Sequence, residues 1–237
     1  MRVIQSPNLA SAHKQVVQYV GKHCYKDENG NPILYPGENN KTTIEAPPVT
    51  LVCKTPCASP MFVPSEEFAF AKILGTQRFN DEYAHDLIYG KPEAKHEYSY
   101  NERLRHWCHT QMIDATSNTI PSGFDQIQYC IDKLKNPNTR RAVASTWYPF
   151  ADWHREDVPC LQFVHFLIRN GKMDMEVLFR SEDMLYGAGS NMYGLVRLGE
   201  YVATGAGVPF GTYTHIALCP HVYTTDAVDL EVFGVIL

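Results

Sequence analysis

The sequence lacks any run of about 18 apolar residues, which is the length that a helix needs to cross a bilayer. Its first residues also lack the apolar core of a signal peptide. The seven cysteines are an odd number scattered from Cys24 to Cys219, which argues against a disulfide framework and favours a reducing compartment. We therefore expect a soluble, cytoplasmic protein that has no membrane partner.

Positive charge is scarce as well, since 21 Lys and Arg residues stand against 26 Asp and Glu residues and the formal net charge is -5. Nucleic acids and anionic membranes are bound by clustered Lys and Arg. We therefore expect no stable nucleic-acid partner, and any bound anion must be held by a local site. Cys53 and Cys57 have no second Cys or His pair at zinc-like spacing, so no metal site is expected.

A chain of 237 residues with 44% apolar residues suits a single domain covering residues 1–237. Apolar periodicity predicts one helix with Ser65 as its N-cap and three others, at 66–74, 81–88, 124–135 and 191–203. It predicts strands at 49–53, 141–147, 161–169, 175–179 and 212–218, two of them joined by a turn at Asn170-Gly171. This mixed order predicts an α/β fold of the α+β type with a largely antiparallel or mixed sheet.

Side chains suited to phosphate binding and nucleophilic attack gather between Arg140 and Tyr223. Guanidinium groups match phosphate oxygens in a bidentate way, and a thiol can act as a nucleophile. The intervals are 19 residues from Arg141 to Cys160 (160 minus 141), then 20 to Arg180, 11 to Asn191 and 30 to His221. This order and spacing resemble the thymidylate synthase and pyrimidine nucleotide hydroxymethylase family.

The resemblance implies a thymidylate synthase-like fold, in which a mixed β-sheet is packed by helices and two such sheets meet in a homodimer. It implies one-carbon transfer to C5 of a pyrimidine nucleotide, most simply the reductive methylation of dUMP to dTMP. The expected carbon donor is 5,10-methylenetetrahydrofolate or a related methylene-tetrahydropterin.

Cys160 is the expected nucleophile, because C5 of a pyrimidine reacts only after a thiolate has added to C6. The reaction needs a cysteine that ionises easily, and the guanidinium of Arg180 is expected to lower the pKa of this thiol. A cysteine at a strand start is otherwise a small buried apolar residue, but the surrounding register favours catalysis.

The resemblance assigns the 5′-phosphate to Arg180, Ser181 and the pair Arg140 and Arg141, with that pair reaching in from the partner subunit. Neighbouring residues on a strand point in opposite directions, so one of the two arginines is alternatively a surface charge. Lys41 is a further phosphate ligand or, equally well, a solvated loop residue.

Asn191 is expected to read the base, because a carboxamide suits the N3–H and O4 of uracil. The family uses Asn for deoxyuridylate and Asp for deoxycytidylate, so deoxyuridylate is the expected substrate. The same Asn could instead cap the helix that follows it. His221 and Tyr223 lie two residues apart, hence on one face of an extended segment, and are expected to bind the sugar 3′-hydroxyl.

Three further roles follow from the resemblance. Asp183 matches the carboxylate that binds the pterin ring, and Tyr100 matches the tyrosine that helps to remove the C5 proton through water. Glu67, with Glu66 as its rival, is the carboxylate expected to order water near O4 and to assist proton transfer.

The sequence departs from the family at three points. Leu161 follows the nucleophile in place of His, no Trp precedes Trp107, and 14 residues (237 minus 223) follow Tyr223. The last two differences predict a looser folate side, in which water competes with hydride. A dUMP, dCMP or CMP hydroxymethylase is therefore an alternative, and a nucleotide- or RNA-binding module without turnover is another.

Overall fold

The computed structural model describes residues 1–90, 98–106 and 124–236, and Trp107 lies outside them. Within these ranges, helices and strands alternate irregularly along the chain. The helices are α1 Leu9–His23, α2 Gln77–Tyr89, α3 Tyr100–Arg105, α4 Gln126–Leu134, α5 Pro149–Asp152, α6 Gly187–Ala206 and α7 Ala227–Val232. The strands are β1 Arg2–Ser6, β2 Tyr35–Pro36, β3 Thr42–Glu45, β4 Val49–Cys53, β5 Ala142–Ser145, β6 Leu161–Arg169, β7 Lys172–Phe179, β8 Glu182–Asp183, β9 Phe210–Ala217 and β10 Pro220–Tyr223.

The described strands form a six-stranded sheet and a four-stranded sheet. The first has the order β1-β4-β9-β7-β6-β5, with parallel pairs β1/β4 and β7/β9 and antiparallel pairs between the other neighbours. The second has the order β2-β3-β10-β8. The predicted mixed α/β architecture is therefore confirmed.

Local sequence explains the hairpin of β6 and β7, on which the site is built. Asn170 and Gly171 both have positive φ, 50° and 72°, as a two-residue type I′ turn requires. Along β6 the side chains alternate between buried and partly exposed positions, which is typical of a strand with one face on the core. The predicted strands at 49–53 and 161–169 match β4 and β6 in both bounds.

Helices cover one face of the large sheet, and α6 is the most deeply buried of them. Met192, Leu195, Leu198 and Val202 recur on its core side and are at most 1% exposed. The helix ends at Gly207, whose φ of 72° is the left-handed conformation that a C-terminal glycine adopts readily. None of the helices in the described ranges is long and apolar enough to span a membrane.

The predicted helix at 66–74 is wrong, because the segment forms two short 3-10 turns instead. The backbone N–H groups of Phe70 and Ala71 donate to the carboxylate of Asp229, at 2.7 and 2.8 Å, rather than to carbonyls one turn earlier. Pro64, and not Ser65, takes the N-cap position of the first turn. A tertiary contact from α7 has thus replaced local helical bonds.

The helix predicted at 124–135 is shorter than expected. Asp125 caps it by accepting a hydrogen bond from the N–H of Gln128, so that α4 begins at Gln126. Phe124, which the periodicity placed on the buried face, is 46% exposed. Ile127, Ile131 and Leu134 lie on the core side as predicted.

We expect Asp229→Asn to lower the free energy of unfolding by about 2 kcal/mol, because an amide cannot accept the three hydrogen bonds that the carboxylate accepts from Phe70, Ala71 and Tyr186. Burial alone would raise the pKa of Asp229, but these hydrogen bonds outweigh it and lower the pKa. The stabilisation is therefore present above the unfolded-state pKa and lost as pH falls through the folded-state value.

Urea unfolding of both proteins at pH 7 and at pH 3 measures this effect. The difference in stability is expected to shrink at the lower pH. Glu231→Gln, an exposed carboxylate on the same helix, is the matched control and should change little. An Asp229→Asn protein as stable as the wild type at pH 7 would contradict this interpretation.

Candidate active site

Cys160 lies immediately before β6, beside the residue that follows β7. The backbone N–H of Arg180 donates to the carbonyl of Cys160 at 2.9 Å. The guanidinium folds back over the same segment, donating from Nε to the carbonyl of Pro159 at 3.1 Å and from Nη2 to that of Val158 at 2.8 Å. The hairpin thus brings the guanidinium of Arg180 against the segment that carries the Cys160 thiol.

Burial raises the pKa of the Cys160 thiol, and the positive charge of Arg180 offsets only part of that rise. Negative charge on Glu182, Glu38 and Asp157 raises the pKa further. Arg180 thus lowers the pKa of the thiol, as expected, although burial acts more strongly in the opposite direction. Because the thiolate is the reactive form, attack requires a base or added positive charge when substrate binds.

Two tyrosines adjoin the nucleophile. The hydroxyl oxygen of Tyr100 accepts a hydrogen bond from the N–H of Leu161 at 3.3 Å, and the hydroxyl of Tyr98 donates to the carbonyl of Val158 at 3.3 Å. Burial raises the pKa of both phenols, so they stay protonated at neutral pH. The structure thus places Tyr100 beside the residue that follows Cys160, whereas Tyr98 was not singled out by any sequence pattern.

Asn191 lies inside α6, whose N-cap is Tyr186, so the alternative that Asn191 caps this helix is wrong. Its Nδ2 donates to Glu182 Oε1 at 2.9 Å, and its Oδ1 accepts a short hydrogen bond from the hydroxyl of Tyr83. Glu182 also accepts from Nε2 of buried His215 at 2.5 Å. Tyr83, Glu182 and His215 come from α2, β8 and β9, respectively. No spacing in the sequence indicated this chain of hydrogen bonds.

The His-x-Tyr pair lies on β10, and the rings of His221 and Tyr223 are 5.6 Å apart. Ser181 Oγ lies 3.3 Å from Nδ1 of His221. The Nζ of Lys41 lies 5.5 Å from the centre of the Tyr223 ring. All four side chains therefore form one group at the end of the small sheet.

Asp183 joins this group because β8 pairs with β10, which sets Asp183 opposite His221. Its carboxylate accepts a hydrogen bond from the N–H of Leu185 at 2.9 Å. Burial raises its pKa to about 6, although the Leu185 N–H and the nearby His221 act in the opposite direction. A carboxyl group with this pKa can exchange a proton near neutral pH.

Glu67 is ion-paired with Lys14 at the surface, while Glu66 is exposed. Of the two candidate carboxylates, Glu67 is therefore the more enclosed. No described contact joins either of them to Cys160 or Asn191. Their assignment to the site stays a prediction.

Arg140 and Arg141 are exposed and precede β5. Ala142, the next residue, pairs with Phe166, which lies six positions (166 minus 160) along β6 from Cys160. At about 3.3 Å per residue, this separation is roughly 20 Å. Within one chain, the pair is therefore too far from Cys160 to share a small ligand with it.

Without those four residues, the candidate site offers a thiol, a guanidinium, a carboxamide, a carboxyl group, and hydroxyl and imidazole donors. Such a set can grip a phosphorylated ring and attack it. Among the described residues, no three or more His, Cys, Asp or Glu side chains cluster as metal ligands would.

Comparisons with known proteins agree with this chemistry. The family profile described as thymidylate synthase matches residues 77–232. The chain is 43% identical over 155 residues to a protein of Methanocaldococcus jannaschii named "Putative thymidylate synthase", an alignment that covers 63% of this chain and 65% of that one. A protein of the same name from Methanosarcina barkeri is 42% identical over 147 residues, with 62% of each chain covered.

A deoxyuridylate hydroxymethyltransferase of Bacillus phage SP01 is 38% identical over 132 residues, which cover 54% of this chain and 33% of the phage protein. The chain thus spans less than two thirds of the length of these relatives. The profile match covers 156 residues (232 minus 77, plus 1) of 237. On that match, together with the order of its site residues, the chain belongs to the thymidylate synthase family.

Proposed function

We propose that this protein transfers a one-carbon unit to C5 of a pyrimidine nucleotide, and that the reaction is the reductive methylation of dUMP to dTMP. The observations that carry the proposal are the packing of Arg180 against the Cys160 segment and the hydrogen bond that holds the carboxamide of Asn191 against Glu182, whose charge acts on the Cys160 thiol. The names of the archaeal relatives support it.

In this proposal Sγ of Cys160 adds to C6 of the uracil, and the ring electrons move toward O4 so that C5 becomes nucleophilic. Bound 5,10-methylenetetrahydrofolate, or a related methylene-tetrahydropterin, supplies the carbon unit and then the hydride. Ordered water held by Tyr100 would accept the C5 proton, and departure of the thiolate restores the ring. Glu67 would order water near O4, and Asp183 would hold the pterin ring.

Substrate specificity is divided among three groups of residues. Asn191 would read N3–H and O4 of the uracil, and His221 with Tyr223 would bind the 3′-hydroxyl. Arg180 would hold the 5′-phosphate, assisted by Ser181 and Lys41. Ser181 and Lys41 lie beside His221 and Tyr223 at the end of the small sheet.

We further propose a homodimer in which Arg140 and Arg141 of one chain complete the phosphate site of the other. The separation of roughly 20 Å from Cys160 along β6 supports this arrangement, because it sets the pair well away from the thiol of its own chain. The outer face of the large sheet carries exposed Val143, together with partly exposed Phe163 and Leu167, as expected of a surface that a second copy covers.

Hydroxymethylation of the same nucleotide is the second candidate, and the phage relative is the observation that favours it. The two reactions share the attack by Cys160 and differ only in whether hydride or water reaches the new carbon. A methyl product is accompanied by dihydrofolate, whereas a hydroxymethyl product is not.

Mass analysis of the nucleotide product, with dUMP and dCMP offered separately, tests the proposed reaction. We expect dUMP to gain a methyl group in step with dihydrofolate absorbance, and dCMP to remain unchanged. A hydroxymethyl product without dihydrofolate would establish the second candidate. Unchanged nucleotides in every reaction would leave only binding and would refute both.

A further inference from the structure

Glu182 is a buried carboxylate whose role the proposed reaction does not explain. In the sequence, Glu182 follows the phosphate-binding candidates Arg180 and Ser181 and precedes Asp183. Its side chain is nevertheless buried and only 3% exposed. One carboxylate oxygen accepts from Asn191 Nδ2 at 2.9 Å, and the other accepts from His215 Nε2 at 2.5 Å. Burying a carboxylate is costly unless both oxygens are bonded, so this arrangement demands that both partners donate.

The partner on the far side of the His215 ring is compatible with that donation. Its Nδ1 lies 2.8 Å from the hydroxyl of Tyr213, and both side chains are at most 1% exposed. A hydroxyl can donate to Nδ1, which leaves the ring proton on Nε2, facing Glu182. The carboxylate therefore presents only lone pairs to Asn191.

The opposite end of the Asn191 amide is held as well. Oδ1 accepts from the hydroxyl of Tyr83, whose pKa is raised by burial so that the phenol keeps its proton. The amide nitrogen thus faces a group that can only accept, and the amide oxygen faces a group that donates. A rotation of 180° would set the amide oxygen against the carboxylate of Glu182, where neither group can donate, and would lose that hydrogen bond.

That rotation matters because a carboxamide does not discriminate between bases by itself. In one orientation it accepts from N3–H and donates to O4, which fits uracil. In the reverse orientation it donates to N3 and accepts from the 4-amino group, which fits cytosine. An asparagine that can turn over reads both bases, so selectivity requires that its orientation be fixed.

We propose that Glu182 is a positioning residue that fixes the amide orientation of Asn191 and so makes the site selective for uracil over cytosine, with His215 and Tyr83 completing the clamp. This inference rests on the proposed function, because it assigns the base selectivity of that same site. A buried donor or acceptor that is left without its partner rejects a ligand strongly, and this is the source of the selectivity.

Glu182→Gln tests the proposal. Its amide oxygen can keep the hydrogen bond from His215, and its nitrogen then faces Asn191, which favours the reversed amide. We expect the ratio of kcat/KM for dUMP to that for dCMP to fall by at least about tenfold, with the same change in the ratio of the two dissociation constants. Glu200→Gln, on the same helix as Asn191 and paired with Arg197, is the control and should leave the ratio within about twofold.

Tyr83→Phe releases the other end of the amide without altering the buried carboxylate, and it should also lower the ratio. This variant decides the question if Glu182→Gln does not fold. A wild type that selects dUMP, beside folded variants with an unchanged ratio, would overturn this inference and leave the proposed function intact. A wild type that binds and converts neither nucleotide would instead refute the proposed function.

Discussion

Replacing Cys160 with Ala is expected to abolish turnover, with a loss of at least about 10⁴-fold in kcat, while nucleotide binding changes only a few-fold. The reason is that C5 gains its reactivity only when the sulfur of Cys160 adds to C6, and the methyl group of Ala cannot make that bond. Binding is expected to survive because the phosphate and base ligands are separate residues.

Release of tritium from C5-labelled dUMP in the presence of methylenetetrahydrofolate measures the first effect, and calorimetric titration with dUMP measures the second. Cys57→Ala, which removes an exposed thiol elsewhere, is the control and should release tritium at the wild-type rate. Appreciable tritium release by Cys160→Ala would exclude covalent catalysis by this residue. No release by the wild type would favour a binding module.

The second large effect concerns sites shared between two chains. We expect Arg140→Ala/Arg141→Ala to lower kcat/KM for dUMP by roughly 10³-fold, because each guanidinium contact to a phosphate contributes about 2 kcal/mol. A hybrid dimer that pairs this chain with a Cys160→Ala chain should recover about half of the wild-type rate, since one of its two sites is complete.

Differently tagged chains, co-expressed and purified through both tags, give the hybrid without its parents. The two parent homodimers, assayed at the same concentration, are the controls and should both be inactive. If the arginines served the Cys160 of their own chain, neither site of the hybrid would be complete, and it would be as inactive as its parents. That outcome, or a monomer in sedimentation, would contradict the proposed dimer.

Residues whose structure depends on nearby sequence were predicted well. The alternation of β6 and the turn at Asn170-Gly171 are set by neighbouring residues, and both are found as predicted. The helix predicted at 66–74 does not form, because N–H groups of this segment bond to Asp229, about 160 residues further on, and pattern reasoning cannot detect such a partner.

The site shows the same division. Spacing singled out Cys160 and Asn191, but it could not show that burial raises the pKa of the thiol, since burial depends on the whole fold. Spacing also could not reveal how the amide of Asn191 is held. Tyr83, which bonds to Asn191, and His215, which bonds to Glu182, come from elements distant in the sequence. Residue types were thus readable from the sequence, whereas their protonation and orientation required the structure.

The central claim is that Cys160 bonds to C6 of the base, and trapping that bond tests it most directly. With 5-fluoro-dUMP and methylenetetrahydrofolate, the C5 fluorine cannot leave as a proton does, so the adduct should persist. Mass spectrometry of the intact protein and of its peptides is expected to show the nucleotide and the folate attached at Cys160. A protein mass that stays unchanged, or an adduct on another residue, would contradict the account.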